Sequence, residues 1–96
     1  MHLISQRPLK AFWAVYRDAE KPLRAWIQAV KSASWRNLAE LRKTFPHADP
    51  VGQFTVFNIG GNKYRLITVI EYKWQRVYVG YILTHVEYDS GKWKTP

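Results

Sequence analysis

The run FNIGGNKYRLITVIEYKWQRVYVGYILTHVEYD, from Phe57 to Asp89, decides how the rest of the chain is read. Within it, Tyr64–Tyr72 and Val77–Leu83 are rich in Val, Ile and Tyr and are separated by a short polar connection, the pattern of consecutive antiparallel strands. Gly60-Gly61-Asn62 supplies the backbone freedom for a hairpin into Lys63–Tyr72, and Lys73-Trp74-Gln75 forms the next turn. Alternation places Lys63, Arg65, Ile67, Val69 and Glu71 on one face and Tyr64, Leu66, Thr68, Ile70 and Tyr72 on the other. Gly80 marks a bulge or a close backbone approach in the last strand. Arg65 lies in the first of these strands, whereas His85 and Tyr88 follow the second, so folding can bring them onto one surface.

Working upstream, Gln53–Ile59 enters the sheet, and His47–Gly52 (HADPVG) reads as a turn-rich connection because Asp49-Pro50 and Gly52 oppose a helix. Asn37 followed by Glu40 has the spacing of an N-terminal cap for a short helix carrying Leu38, Leu41 and Phe45, which Pro46 ends. Two further helices start near Pro8 and Pro22. Leu9, Phe12, Trp13 and Tyr16 form the apolar face of the first, and Leu23, Trp26, Ile27 and Val30 that of the second. His2–Ser5 can pair as an edge strand, and THVEYDSGKWK, too polar and aromatic to continue the core, is expected to lie across the end of the sheet. The expected fold is α+β, with N-terminal helices packed on a small antiparallel β-sheet in a single domain over residues 1–96.

Ninety-six residues leave no room for a second catalytic domain, and 47% hydrophobic residues with 16% aromatics suffice for a packed core. A formal charge of +8, from 15 Lys and Arg against seven Asp and Glu, favours a polyanionic partner. The absence of cysteine excludes a disulfide framework, thiol catalysis and cysteine-ligated zinc, and fits a cytoplasmic protein. MHLISQRPLKAFWAVYR lacks the apolar run and cleavage site of a signal peptide, and no stretch is long and apolar enough to span a bilayer, so no membrane partner is expected. Glu87 and Asp89 lack a well-placed third ligand and do not read as a metal site, and there is no phosphate-binding loop or nucleophilic serine constellation. No cofactor is expected, and His2 and His47 read as surface or turn residues.

FNIGGNKYRLIT, VYVGYILTHVEYDSGKWK and the preceding SWRNLAELRKTFPHAD together resemble the HigB-type toxins of bacterial type II toxin–antitoxin systems, within the RelE-like superfamily of mRNA interferases. The resemblance spans nearly the whole chain. It implies a metal-independent endoribonuclease that cuts mRNA on the ribosome at the A site. It also implies neutralisation by a HigA-like helix-turn-helix antitoxin, with operator DNA reached only through that antitoxin.

Cleavage by the RNA's own 2′-hydroxyl requires a proton to leave the nucleophile, another to reach the departing 5′-oxygen, and the phosphate charge to be stabilised. Arg65 offers a permanently charged bidentate phosphate contact and stands where the resemblance places a sheet arginine; the competing reading is a solubilising strand charge. His85 can exchange a proton near neutral pH and falls where the superfamily places a functional residue, often a different basic side chain; a hydrogen-bonded structural histidine is the alternative. Tyr88 suits base stacking or positioning of the phosphate rather than proton removal, because an ordinary phenol is a poor base at neutral pH, and core packing competes. Lys63, Lys92 and Lys94 are candidates for a cationic rim, Asn58 for a neutral hydrogen bond, and Trp93 for stacking or for anchoring the C-terminal segment. Glu87 and Asp89 can orient His85 or Arg65. A non-catalytic RNA or ribosome binder of the same fold, and a protein whose basic surface serves an acidic partner, are the competing functions.

Overall fold

In the computed structural model, which describes residues 1–94, three helices cover one face of a five-stranded sheet. In chain order the elements are β1 (His2–Ile4), α1 (Arg7–Val15), a 3-10 turn (Arg17–Ala19), α2 (Glu20–Ser32) and α3 (Leu38–Thr44). There follow β2 (Asp49–Val51), β3 (Phe54–Ile59), β4 (Tyr64–Glu71), β5 (Arg76–Thr84), α4 (His85–Asp89) and a second 3-10 turn (Lys92–Lys94). The spatial order is β1-β5-β4-β3-β2.

The expected α+β architecture is present, with one difference in the sheet. β2 to β5 form an antiparallel meander, but β1 runs parallel to β5, Leu3 opposite Val77, so the sheet is mixed. Side-chain alternation carries no strand direction, and only the path of the three helices decides it. The His47–Gly52 segment, expected as a connection, contains β2. Pro50 is tolerated there because β2 is an edge strand, with no ladder beyond it to donate into.

Each helix follows its apolar spacing. Leu9 of α1, Leu23, Trp26 and Val30 of α2, and Leu41 of α3 bury against Phe57, Ile59, Leu66, Val77 and Val79 of the sheet. The Asn37 side chain accepts from the Glu40 amide at 2.9 Å, and the Glu40 carboxylate accepts from the Arg36 amide at 2.6 Å, which fixes the start of α3. Pro22 sits inside the first turn of α2, two residues later than its first residue, where a missing N–H is harmless. Tyr16 lies just past α1, stacked on Phe12 at 4.5 Å and edge-on to Tyr64 at 5.6 Å.

Two glycine sites shape the other face. Gly60 and Gly61, at φ +64° and +69°, turn the chain from β3 into β4. Gly80 is the extra residue of a bulge: Ile67 opposes Tyr81 and Thr68 opposes Val79, and a Cβ on Gly80 would stand 3.1 Å from the Ile67 carbonyl oxygen. Before the bulge, Val77 and Val79 face the helices. After it Ile82 does, so Tyr81 and Leu83 join Arg65 on the opposite face. That face is not bare. Val56 and Ile67 are buried on it, and the C-terminal segment folds back over the sheet there, setting Trp93 edge-on to Phe54 with ring centroids 5.7 Å apart. No helix among the described residues is long and apolar enough to cross a membrane.

Candidate nucleic-acid site

On the face away from the helices, β3 and β4 set Asn58 directly opposite Arg65, and β5 sets Leu83 beside Arg65. The chain then turns into α4 through a reciprocal cap: the Thr84 hydroxyl accepts from the Glu87 amide at 3.3 Å and the Glu87 carboxylate from the Thr84 amide at 2.9 Å. This short helix carries Tyr88 back over the sheet, its ring 5.7 Å from the Arg65 guanidinium carbon. Register and cap together create a meeting that 22 residues of intervening chain do not suggest.

The result is an open concavity of about 430 Å³, lined by Arg42, His47, Asp49, Asn58, Arg65 and Tyr88 among others. One guanidinium nitrogen of Arg65, Nη1, donates to the Asn62 and Tyr64 carbonyl oxygens at 3.1 and 3.2 Å. Nε and Nη2 have no hydrogen-bond partner among the described residues, and no carboxylate there forms an ion pair with Arg65. A planar fork held at one corner and open at the other suits a phosphate. Arg42 donates from Nε to the Ala48 carbonyl at 3.0 Å and so ties the His47–Asp49 segment against α3.

Burial pushes the Tyr88 phenol above its ordinary value, with the Asp49 carboxylate acting in the same direction, Arg65 opposing it and Asp89 adding to it. At physiological pH the phenol is a neutral hydrogen-bond donor. Trp93 stacks on the Tyr88 ring at 5.2 Å, with an 18° angle between planes, and donates from Nε1 to the Tyr88 carbonyl at 3.0 Å. It therefore serves as the anchor of the C-terminal segment, and Lys94 rests over its ring at 5.5 Å.

Not all of the candidates converge. His85 begins α4, its amide donating to the Lys63 carbonyl at 3.0 Å and its Nε2 lying 3.0 Å from Asp89, outside the lining of the concavity. Lys63 turns the other way, with Nζ 2.6 Å from the Asp18 carboxylate, which also accepts from the Tyr64 hydroxyl at 2.5 Å. The alternation that would put Lys63 beside Arg65 does not extend to it, because Lys63 sits in the hairpin turn before β4 begins. Lys92 lines a separate groove with Leu83, Val86, Glu87, Ser90 and Trp93. The sequence does not single out Arg42, gives Asp49 only as part of a turn-rich connection, and gives His47 as a surface or turn residue, which it is, without suggesting that any of the three lines the concavity. The only available signal was FPHAD immediately before a possible edge strand, which would bring that segment beside Asn58.

A basic α+β protein whose sheet presents an arginine and an asparagine, and whose α4 adds a buttressed tyrosine, to one open concavity belongs to the class of small polyanion-directed proteins. Residues 19–91 match the HigB toxin family, described as the RelE-like toxic component of a toxin–antitoxin system, and the chain belongs to that family. It is similar to the mRNA interferase toxin HigB of Escherichia coli (strain K12), 30% identical over 92 residues that cover 93% of this chain and 88% of the relative. The mRNA interferase HigB of Shigella flexneri gives the same values. That of Escherichia coli O6:H1 is 29% identical over 93 residues, covering 94% of this chain and 90% of the relative.

Proposed function

We propose that this toxin is an endoribonuclease that cuts mRNA on the ribosome through attack of the RNA's 2′-hydroxyl on the adjacent phosphate, without a metal ion. The meeting of Arg65 and Tyr88 beside Asn58 carries this reading. The open edge of the Arg65 guanidinium takes the non-bridging oxygens and offsets their charge as the phosphorane forms. The neutral Tyr88 hydroxyl and the Asn58 amide hold the same group in line for attack. We assign the proton transfer to His85, which takes the 2′-hydroxyl proton as the new P–O bond forms and gives it to the departing 5′-oxygen, leaving a 2′,3′-cyclic phosphate and a 5′-hydroxyl; because it stands outside the concavity, it must swing towards the RNA to do so. Its pairing with Asp89 is half-exposed, so releasing the imidazole towards RNA costs only about 0–1 kcal/mol.

Such a site has no deep pocket and grips little of its substrate, so an isolated RNA strand would rarely adopt the in-line geometry. A ribosome that presents the message in a fixed conformation supplies the missing order. Membership in a toxin–antitoxin family requires a partner that silences the toxin, and we assign that role to a HigA-like helix-turn-helix protein encoded beside it, which alone contacts operator DNA. The site of action is the cytoplasm.

The test is a reconstituted translation reaction with and without ribosomes, read by primer extension along the message. Cuts that appear only on translating ribosomes and vanish in Arg65→Ala carry the reading. Cuts on naked RNA would keep the nuclease and remove the ribosome. Intact message with retained RNA binding would make the protein a binder.

A further inference from the structure

At the opposite end of β4 from Arg65 the chain reverses through Tyr72, Lys73, Trp74 and Gln75. Arg65 to Glu71 spans about 20 Å at roughly 3.3 Å per residue, so this turn is a separate surface. Trp74 is 60% exposed at its tip, and no aromatic ring packs on it among the described residues. Lys73 Nζ stands 5.2 Å from the indole centroid and the Arg76 guanidinium carbon 6.0 Å. A large ring left mostly in water beside two cations takes no part in the packed core. It is, however, the composition of a platform for an unpaired base with phosphates on either side.

The turn is also held in one shape. Gln75 adopts φ +55°, a left-handed conformation that costs a non-glycine residue about 1–2 kcal/mol. It is kept there from three sides. Gln75 Nε2 donates to the Trp35 and Tyr72 carbonyls, both at 2.8 Å, and the Gln75 carbonyl accepts from the His2 amide at 2.8 Å. These bonds tie the turn to β1 and to the entry of α3, so the indole is presented from a rigid base. Beside it lies an open concavity of about 920 Å³ lined by Ser34, Arg36, Glu40, Tyr72, Lys73 and Gln75.

The charges rank the contributions. Arg36 is paired with Glu40, and Arg76 lies 3.9 Å from Glu71, whereas Lys73 has no carboxylate within ion-pairing distance among the described residues. Stacking therefore leads, and phosphate attraction is secondary.

We propose that the β4–β5 turn is a second RNA-binding point, where Trp74 stacks on an unpaired base while Lys73 and Arg76 meet the neighbouring phosphates. It rests on the reading that the chain acts on RNA and gives the toxin two contacts about 20 Å apart along one strand, one for chemistry and one for grip.

The experiment is equilibrium anisotropy at low salt with a labelled, single-stranded, fully 2′-O-methylated oligoribonucleotide, which binds but cannot be cut. The full chain is compared with Trp74→Ala, Trp74→Phe, Lys73→Gln/Arg76→Gln and Arg65→Ala, each checked by its melting temperature. The expected result is an affinity about tenfold weaker for Trp74→Ala, the scale of one lost base stack, restored largely by Phe and absent on duplex RNA. The loss should persist in the Arg65→Ala background. The same variants on ribosomes with and without message separate the two sources of unpaired RNA. A loss on empty ribosomes assigns ribosomal RNA, and a loss only on loaded ones assigns the message. Trp74→Ala binding as tightly as wild type, while Arg65→Ala weakens, overturns the second contact alone. If the wild-type chain binds neither oligonucleotide nor ribosome, the RNA reading falls with it.

Discussion

Tyr88 and Trp93 stack with centroids 5.2 Å apart, and the Trp93 indole N–H donates to the Tyr88 carbonyl at 3.0 Å, so one residue is held by the other through both ring and backbone. Because α4 has only five residues, it cannot hold its own geometry in water. The position of Tyr88 over Arg65 depends on that brace.

Trp93→Ala should therefore lower cleavage by about 10–100-fold through misplacement of Tyr88, while Trp93→Phe retains most of the activity because it keeps the stack. Single-turnover cleavage on ribosomes and the near-ultraviolet circular dichroism of the aromatic cluster measure this. Full activity in Trp93→Ala would mean that Tyr88 needs no support.

Arg65→Lys tests whether the guanidinium fork matters beyond its charge. A lysine keeps the positive charge but lacks the planar pair of donors, so cleavage should fall by about 10²–10³-fold, the scale of one lost charge-stabilising donor. The melting temperature should barely move, since the fork is only partly buried. Near wild-type rates in the lysine variant would reduce Arg65 to a point charge.

Two histidines flank the site in different ways. His85→Ala should reduce the single-turnover cleavage step by about 10²–10⁴-fold, as expected for a lost acid or base, with substrate binding retained. His47→Ala, at a residue lining the concavity, should weaken substrate binding and leave the single-turnover step at saturation in place. The reverse pattern would transfer the proton to His47.

The Asp18 cluster contributes to the dependence of stability on pH. Lys63 and then Tyr64, by hydrogen bonding, hold the Asp18 carboxyl below its ordinary value of 3.8, and the same carboxylate, ahead of burial, pushes the Tyr64 phenol up to about 12. A lowered carboxyl contributes stability that is present above its unfolded value and is lost as pH falls through the folded one. A raised phenol contributes stability that is present below pH 10 and is lost as pH climbs towards 12. Asp18→Asn should lower the urea midpoint at pH 7 and flatten its dependence at both ends of the range. An unchanged acid limb would show that other carboxylates dominate it.

Much of the scaffold was legible because it rests on local rules. Apolar spacing placed α1 and α2, Asn37 and Glu40 marked the start of α3, and Gly60-Gly61 and Lys73–Gln75 marked the turns of the meander. These signals live within a few residues of one another. The edge strand β2 was missed because Asp49-Pro50 opposes both helix and a central strand, and only the neighbouring strand supplies its pairing.

The site was legible in part. Arg65, Asn58 and Tyr88 could be named from residue chemistry and resemblance, and the structure brings them together. Arg42, His47 and Asp49 could not, because what places them is the hydrogen bond from Arg42 to Ala48 and the β2–β3 hairpin, both contacts between separate elements.

By itself, the sequence determined α1 to α3, β1 and the strands β3 to β5, together with the basic charge and the residue types able to handle phosphate, since propensity, periodicity and ionisation are properties of a residue and its near neighbours. The tertiary structure decided which way those residues face. The extra residue at Gly80 turns Leu83 onto the Arg65 side, α4 folds Tyr88 back against Arg65, and Asp18 draws Lys63 away. A one-residue slip in a strand reverses every side chain beyond it, and such a slip becomes definite only when the partner strand is in place.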